Sequence, residues 1–158
     1  MKKLFGIIGN PIKHSLSPVL HKYWFDKYNI NADYSIIEAT DEELPEIIKK
    51  IKQGNYSGIN VTLPFKQKII NHIGKIINDA ELTGSVNTVF LNNSKTVIGE
   101  NTDEYGLQAA YLKEIDNSTN KKALVIGAGG VSPSVILSIK KSGIKNISIT
   151  KDYFHHIM

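Results

Sequence analysis

Residues 123–130 read Ala-Leu-Val-Ile-Gly-Ala-Gly-Gly, an apolar run short enough for a buried strand and closed by a glycine-rich turn. Residues 134–142 follow at helical spacing, and 147–150 are again rich in β-branched residues. Strand, tight turn, helix and strand in that order make a βαβ unit, whose strands lie parallel because the helix carries the chain back to its starting edge. Glycine suits the turn because it reaches backbone conformations closed to other residues and admits a ligand close to the main chain. This stretch alone puts the chain among α/β folds.

The preceding residues repeat the alternation. Residues 4–8, 34–39 and 57–62 read as strands. Ser17 and Pro18 open a helix, Ser as N-cap and Pro at the first helical position, with Val19, Leu20, Tyr23, Trp24 and Tyr28 along one face. Thr40-Asp41-Glu42-Glu43 is a capping box ahead of Leu44, Ile47, Ile48 and Ile51. Pro64 begins a helix bearing Ile69, Ile70, Ile73 and Ile77, and residues 85–91 and 96–99 form a hairpin around Asn92-Asn93-Ser94. After Asn101 a helix runs from Thr102 or Asp103 to about Lys113, and a polar link over 115–122 leads to the βαβ unit. The reading is therefore an α/β chain: a small domain over residues 1–101 with a mainly parallel sheet and flanking helices, then over 102–158 the start of a dinucleotide-binding unit. A complete doubly wound unit takes about five or six strands, and two are visible.

Composition narrows the function classes. Hydrophobic residues at 41% and charged residues at 22% fit a globular chain of one ordinary or two small domains. No apolar run nears the roughly 18 residues that span a bilayer, and the apolar N-terminal run, ended by Gly9-Asn10-Pro11, reads as a strand rather than a secretion signal. With no cysteine, disulfides and thiolate chemistry are excluded. The net charge of +4 comes from scattered lysines, without the basic patch of a nucleic-acid binder. A cytoplasmic protein acting on small molecules, without nucleic-acid or membrane partners, is the expectation, and a homodimer stays open. His155 and His156 have no second ligand cluster nearby and read as tail, so no metal is expected.

Chemistry concentrates at strand ends and helix starts, where α/β sheets bind ligands. Ser15-Leu16-Ser17-Pro18, Asn60-Val61-Thr62-Leu63-Pro64-Phe65-Lys66, Ser85-Val86-Asn87-Thr88 and Asn101-Thr102-Asp103 are the clusters. Each has a local explanation as cap, turn or solvated lysine. Together they offer hydroxyls and amides for a polyhydroxylated, carboxylated small molecule, with Lys66 and Asp103 as a proton-transfer pair. Gly127, Ala128, Gly129, Gly130 and Val131 precede a helix N-terminus and suit a pyrophosphate, although the spacing is GxGG and not GxGxxG. Lys151, at the end of the second strand of the unit, favours a 2′-phosphate, and Asp152 a bare ribose, so NADP and NAD both stay open.

These motifs resemble the shikimate dehydrogenase family: S-x-S-P, N-V-T-x-P-x-K, N-T, N-T-D-x-x-G and G-A-G-G, over residues 4–150. The resemblance implies NADPH-dependent, reversible reduction of 3-dehydroshikimate to shikimate on the way to chorismate and aromatic amino acids. It implies Ser15 and Ser17 on the substrate carboxylate, and Asn60, Thr62, Asn87 and Asp103 on the ring oxygens. Lys66 would be the acid/base, with Asp103 as its partner.

The chain departs from the family after residue 150, where Lys151-Asp152-Tyr153 replaces an Asn-Arg-Thr-type segment. The resemblance covers the front part of the family's fold, so the expectation is a C-terminally truncated sequence with an incomplete Rossmann-like unit. Two alternatives stand beside the NADP enzyme: a binding module without hydride transfer, and a quinate/shikimate dehydrogenase using NAD.

Overall fold

The computed structural model describes residues 2–112 and 121–151. Eight strands and five α-helices are described: β1 Lys3–Gly9, α1 Ser17–Lys27, β2 Ala32–Glu38, α2 Leu44–Lys52, β3 Gly58–Val61, β4 Lys75–Ile76, α3 Asp79–Thr83, β5 Thr88–Leu91, β6 Val97–Glu100, α4 Asp103–Ala110, β7 Lys122–Ile126, α5 Ser132–Lys141 and β8 Asn146–Thr150. A six-stranded sheet has the order β2-β1-β3-β5-β6-β4, and β7 pairs with β8 in a separate two-stranded sheet.

In the larger sheet β1 runs parallel to β2 and β3, and β4 parallel to β6, while β5 is antiparallel to β3 and β6. The sheet is therefore mixed, because the short hairpin between β5 and β6 forces antiparallel neighbours into its middle. The hairpin turn is closed where Thr96 N donates to Asn92 Oδ1 at 2.8 Å. The βαβ unit forms as expected, with Leu124 facing Ser148 and Val125 facing Ile149 in parallel register.

The core lies under α2. Leu44, Ile47, Ile48 and Ile51 recur at helical spacing and all are buried, against Ile8, Ile59, Val61, Phe65, Ile69 and Val89. Burial of each such side chain contributes roughly 1.5–3 kcal/mol. The capping box forms as read, with Thr40 N donating to Glu43 Oε2 at 2.7 Å, although the first turn, Asp41–Glu43, is 3-10.

Four expectations are corrected. Residues 64–77 do not form one helix. A 3-10 turn, Lys68–His72, gives way to β4, because Gly74 N and Ile77 N donate to Val97 O and Gly99 O of the β6 edge at 3.1 and 3.0 Å. Backbone pairing with β6 thus outweighs a helical spacing carried by β-branched isoleucines. Ser17 is the first residue of α1 rather than its cap, which is Leu16, and it makes no capping bond. The apolar face of α1 is not covered: Val19, Leu20, Tyr23, Trp24 and Tyr28 are all exposed. The helix after Asn101 ends at Ala110. Its expected end at Lys113, most of the polar link, Asp152 and the two terminal histidines lie outside the described residues.

Candidate active site

The loop after β3 brings Lys66 to the sheet's carboxyl edge. Phe65 beside it is buried in the core and its N–H donates to Thr62 O at 2.9 Å, while Val86 N donates to Lys66 O at 2.8 Å. With the neighbouring side chain and its own carbonyl held, Lys66 projects to the other side. Its Nζ donates to Asp103 Oδ2 at 2.6 Å, the two side chains being 11% and 23% exposed. Asp103 is the first residue of α4, and its N–H donates to Asn101 Oδ1 at 2.9 Å. Its other oxygen, Oδ1, accepts from Asn87 Nδ2 at 2.8 Å, so neither rotation nor solvent easily draws the carboxylate away. A largely desolvated ammonium held by an oriented carboxylate is suited to proton transfer at a developing alkoxide.

Asn87 extends the network. Its Oδ1 accepts from Thr102 N at 3.0 Å and from Thr88 Oγ1 at 2.9 Å. Asn60 Nδ2 donates to Thr88 Oγ1 and to Asn87 O, both at 3.3 Å, and Asn60 Oδ1 accepts from Tyr34 Oη at 2.6 Å. Burial pushes the Tyr34 phenol well above its ordinary range, and the Ser17 hydroxyl pulls in the opposite direction.

Ser15, Ser17 and Thr62 line a second part of the same edge, a pocket of about 430 Å³ shared with Asn10, Ile12 and His14. Ser15 Oγ accepts from Ser17 N at 3.2 Å. Thr62 is set by the close approach of β1: a Cβ on Gly9 would lie 2.7 Å from its methyl. The candidate residues therefore form two groups: Lys66, Asp103, Asn87 and Asn60 bonded in series, and Ser15, Ser17 and Thr62 around one pocket. Tyr34 stands between them.

The glycine turn presents an open outer face. Gly127 has φ +108, a conformation that favours glycine, and its N–H donates to Thr150 O at 2.8 Å. Ala128, Gly129 and Val131 are exposed, and a Cβ at Gly127 or Gly129 would meet nothing within 4 Å. The outer face is thus open at the N-terminus of α5, where backbone N–H groups and the helix dipole favour an anion. Gly130 turns the other way: its Cβ position is 3.8 Å from Lys66 Cβ, and its carbonyl accepts from Ser85 Oγ at 2.9 Å.

A polar seam joins α5 to the larger sheet, and the sequence reading missed it. Asn101 Nδ2 lies 2.8 Å from Ser85 O and 2.9 Å from Ser134 Oγ, and Ser138 Oγ donates to Glu104 O at 3.1 Å. Lys141 Nζ bridges Asp79 Oδ1 at 2.9 Å and Glu104 Oε2 at 3.0 Å. The hydrogen bond to Lys141 holds the Asp79 carboxyl below its usual range, and the same contact raises Lys141. The serines at 134 and 138 share a helix face, which is the signal that would have marked the seam. Among the described residues no His, Cys, Asp and Glu group could hold a metal, and no helix is long and apolar enough to cross a membrane.

Comparison with known proteins identifies a family and a fold. A family model described as the shikimate dehydrogenase substrate binding domain matches residues 7–89. A Pelagibacter ubique protein named shikimate dehydrogenase (NADP(+)) is 45% identical over 150 residues, covering 95% of this chain and 56% of its own length. The crystal structure of an Aquifex aeolicus shikimate dehydrogenase superposes with a TM-score of 0.87 at 36% identity, covering 98% of this chain and 57% of its own. A shikimate dehydrogenase solved in complex with NADP+ superposes at 0.86 with 34% identity, over 95% of this chain and 51% of that one. The chain spans about half the length of the curated relatives it matches.

Proposed function

This chain belongs to the shikimate dehydrogenase family, and we propose that it acts on the shikimate and 3-dehydroshikimate pair with NADP as the redox partner. Residues 1–101 form the substrate-binding part and 102–158 open the cofactor part. The observation that carries the reading is the Lys66–Asp103 pair at 2.6 Å, with Asn87 on the second carboxylate oxygen and the glycine turn against the lysine stem.

The roles are those that the family resemblance implies, and the chemistry of each group supports them. The hydroxyls of Ser15 and Ser17 bind the substrate carboxylate, and Asn60, Thr62, Asn87 and Asp103 bind the ring oxygens. A ketone reduced to an alcohol passes through an oxygen bearing negative charge, which the Lys66 ammonium stabilises and to which its Nζ gives a proton. In the reverse direction Nζ takes that proton. Asp103 keeps Nζ oriented and lowers the cost of holding a buried ammonium. Residues 127–131 hold the pyrophosphate of a dinucleotide, which when bound supplies or takes up the hydride. NADP rather than NAD follows the relatives' naming. The setting is cytoplasmic, with small molecules and neither nucleic acid nor membrane as ligands, and a homodimer belongs to the same reading.

A second reading has its own support. Apart from Asp103 at the start of α4, the proposed substrate residues all fall within residues 1–101, in or beside the six-stranded sheet, whereas β7 and β8 leave Leu124, Ile126 and Ile149 more than half exposed. Such a chain would bind shikimate without hydride transfer. Calorimetric titration with shikimate, and absorbance at the NADPH band with shikimate and NADP+, on the same purified chain separate the two. Binding with turnover supports the enzyme, binding alone supports the module, and absence of both refutes the substrate assignment.

A further inference from the structure

We infer that Tyr34 is the positioning residue of the substrate pocket, its hydroxyl 2.6 Å from Asn60 Oδ1 fixing which way the Asn60 amide faces. The inference rests on the proposed role of Asn60 in shikimate binding and names what orients that residue.

A carboxamide can turn over, exchanging its acceptor for its donor. Three contacts choose one orientation at Asn60. Tyr34 Oη donates to Oδ1, and Nδ2 faces the Asn87 carbonyl and Thr88 Oγ1. The two Nδ2 contacts are long at 3.3 Å, so the short Tyr34 bond dominates. Burial pushes the phenol above its ordinary range, so Tyr34 stays a donor at neutral pH.

Tyr34 is itself fixed by α1. The His21 ring stacks on it with centroids 4.0 Å apart at 13°, and His21 Nδ1 donates to Ser17 O at 2.9 Å. The helix that carries Ser17 is thereby clamped to the residue that orients Asn60. One side chain thus joins the carboxylate end of the pocket to the ring-oxygen end.

A double-mutant cycle with Tyr34→Phe and Asn60→Ala, read by calorimetric titration with shikimate, tests the coupling. Tyr34→Phe keeps the ring and its stack on His21. It is expected to weaken shikimate roughly three- to tenfold, the worth of one hydrogen bond, and to cost clearly less in the Asn60→Ala background, where only the hydroxyl's contact with Ser17 is left to lose. Equal losses in both backgrounds, or no loss in either, overturn the inference. The second arm is the Asn60 side-chain amide resonance pair in the ligand-free chain, which should move in Tyr34→Phe while that of Asn101 stays. An unmoved Asn60 pair overturns the positioning role. If the unsubstituted chain fails to bind shikimate, the substrate assignment falls, and the amide resonances alone decide Tyr34.

Discussion

Ser85 donates its hydroxyl to the Gly130 carbonyl at 2.9 Å across 45 residues of sequence, so the glycine turn is tied to the segment that leads into Asn87. Gly130 also lies against the Lys66 stem, with its Cβ position 3.7 Å from Leu63 Cδ2 and 3.8 Å from Lys66 Cβ. The glycine turn is therefore held beside Lys66 by Ser85, Leu63 and the lysine's own stem.

Replacing Ser85 by Ala should loosen that tie. The serine is fully buried, and its loss leaves the Gly130 carbonyl without this donor, at a cost of about 1 kcal/mol. Urea unfolding should show that decrease, and NADP+ should bind more weakly while shikimate binding changes little. A parallel loss of both ligands would mean that Ser85 acts on the whole fold.

Lys66→Met tests the acid/base separately from packing, since the methionine keeps the apolar stem beside Gly130. In any form of the chain that turns over, kcat should fall by roughly 10²–10⁴. Shikimate affinity should change by much less. An unchanged kcat would remove Lys66 from the chemistry.

The parts legible in the sequence were those that repeat a local rule. The α2 face, the capping box, the hairpin and the glycine turn each depend on residues within one turn or one strand. Lys66 and Asp103 were also readable, because strand ends and helix starts converge on one edge in α/β folds. What was not readable depends on partners far along the chain. Residues 64–77 carry helical spacing, yet β6 takes the backbone of Gly74 and Ile77. Asn101 sits in a motif with Asp103, yet it turns inward to Ser134 and Ser85. Tyr34 lies in a strand with nothing nearby in sequence to mark it, and only the β2-β1-β3 order brings it to Asn60.

The Lys141 seam should give stability a defined pH range. Asp79 is depressed below its ordinary 3.8, so its contribution is complete above that value and is lost as pH falls through the lowered one. Lys141 is raised above its ordinary 10.5, so its contribution is complete below that value and is lost as pH rises through the raised one. Lys141→Met also strands the Glu104 carboxylate, whose Oε1 already lacks a partner among the described residues. Since Lys141 is 44% exposed, the loss should be about 1–3 kcal/mol, below that of a fully buried pair. Urea midpoints across pH should show a lower plateau and a flatter alkaline limb in the variant. An unchanged plateau would mean that solvent screens the seam.

Gly9→Ala offers the sharpest test of how the sheet positions the substrate pocket. The added methyl would lie 2.7 Å from Thr62 Cγ2, 3.0 Å from Ile12 Cδ1 and 3.1 Å from Leu63 O. Ile12 can swing its terminal carbon aside, but the Leu63 carbonyl belongs to the backbone and Thr62 has one short, branched side chain. Thr62 must therefore rotate or the two strands must part, at about 1–3 kcal/mol. Either movement displaces the hydroxyl that lines the pocket with Ser15 and Ser17, so shikimate affinity should fall together with stability. Gly54→Ala supplies the control: its φ of +82 imposes a strain of about 1–2 kcal/mol, while nothing lies within 4 Å of the new methyl. It should lower the urea midpoint comparably and leave shikimate binding intact. Equal losses of affinity in the two variants would show that general destabilisation, and not the placement of Thr62, governs the pocket.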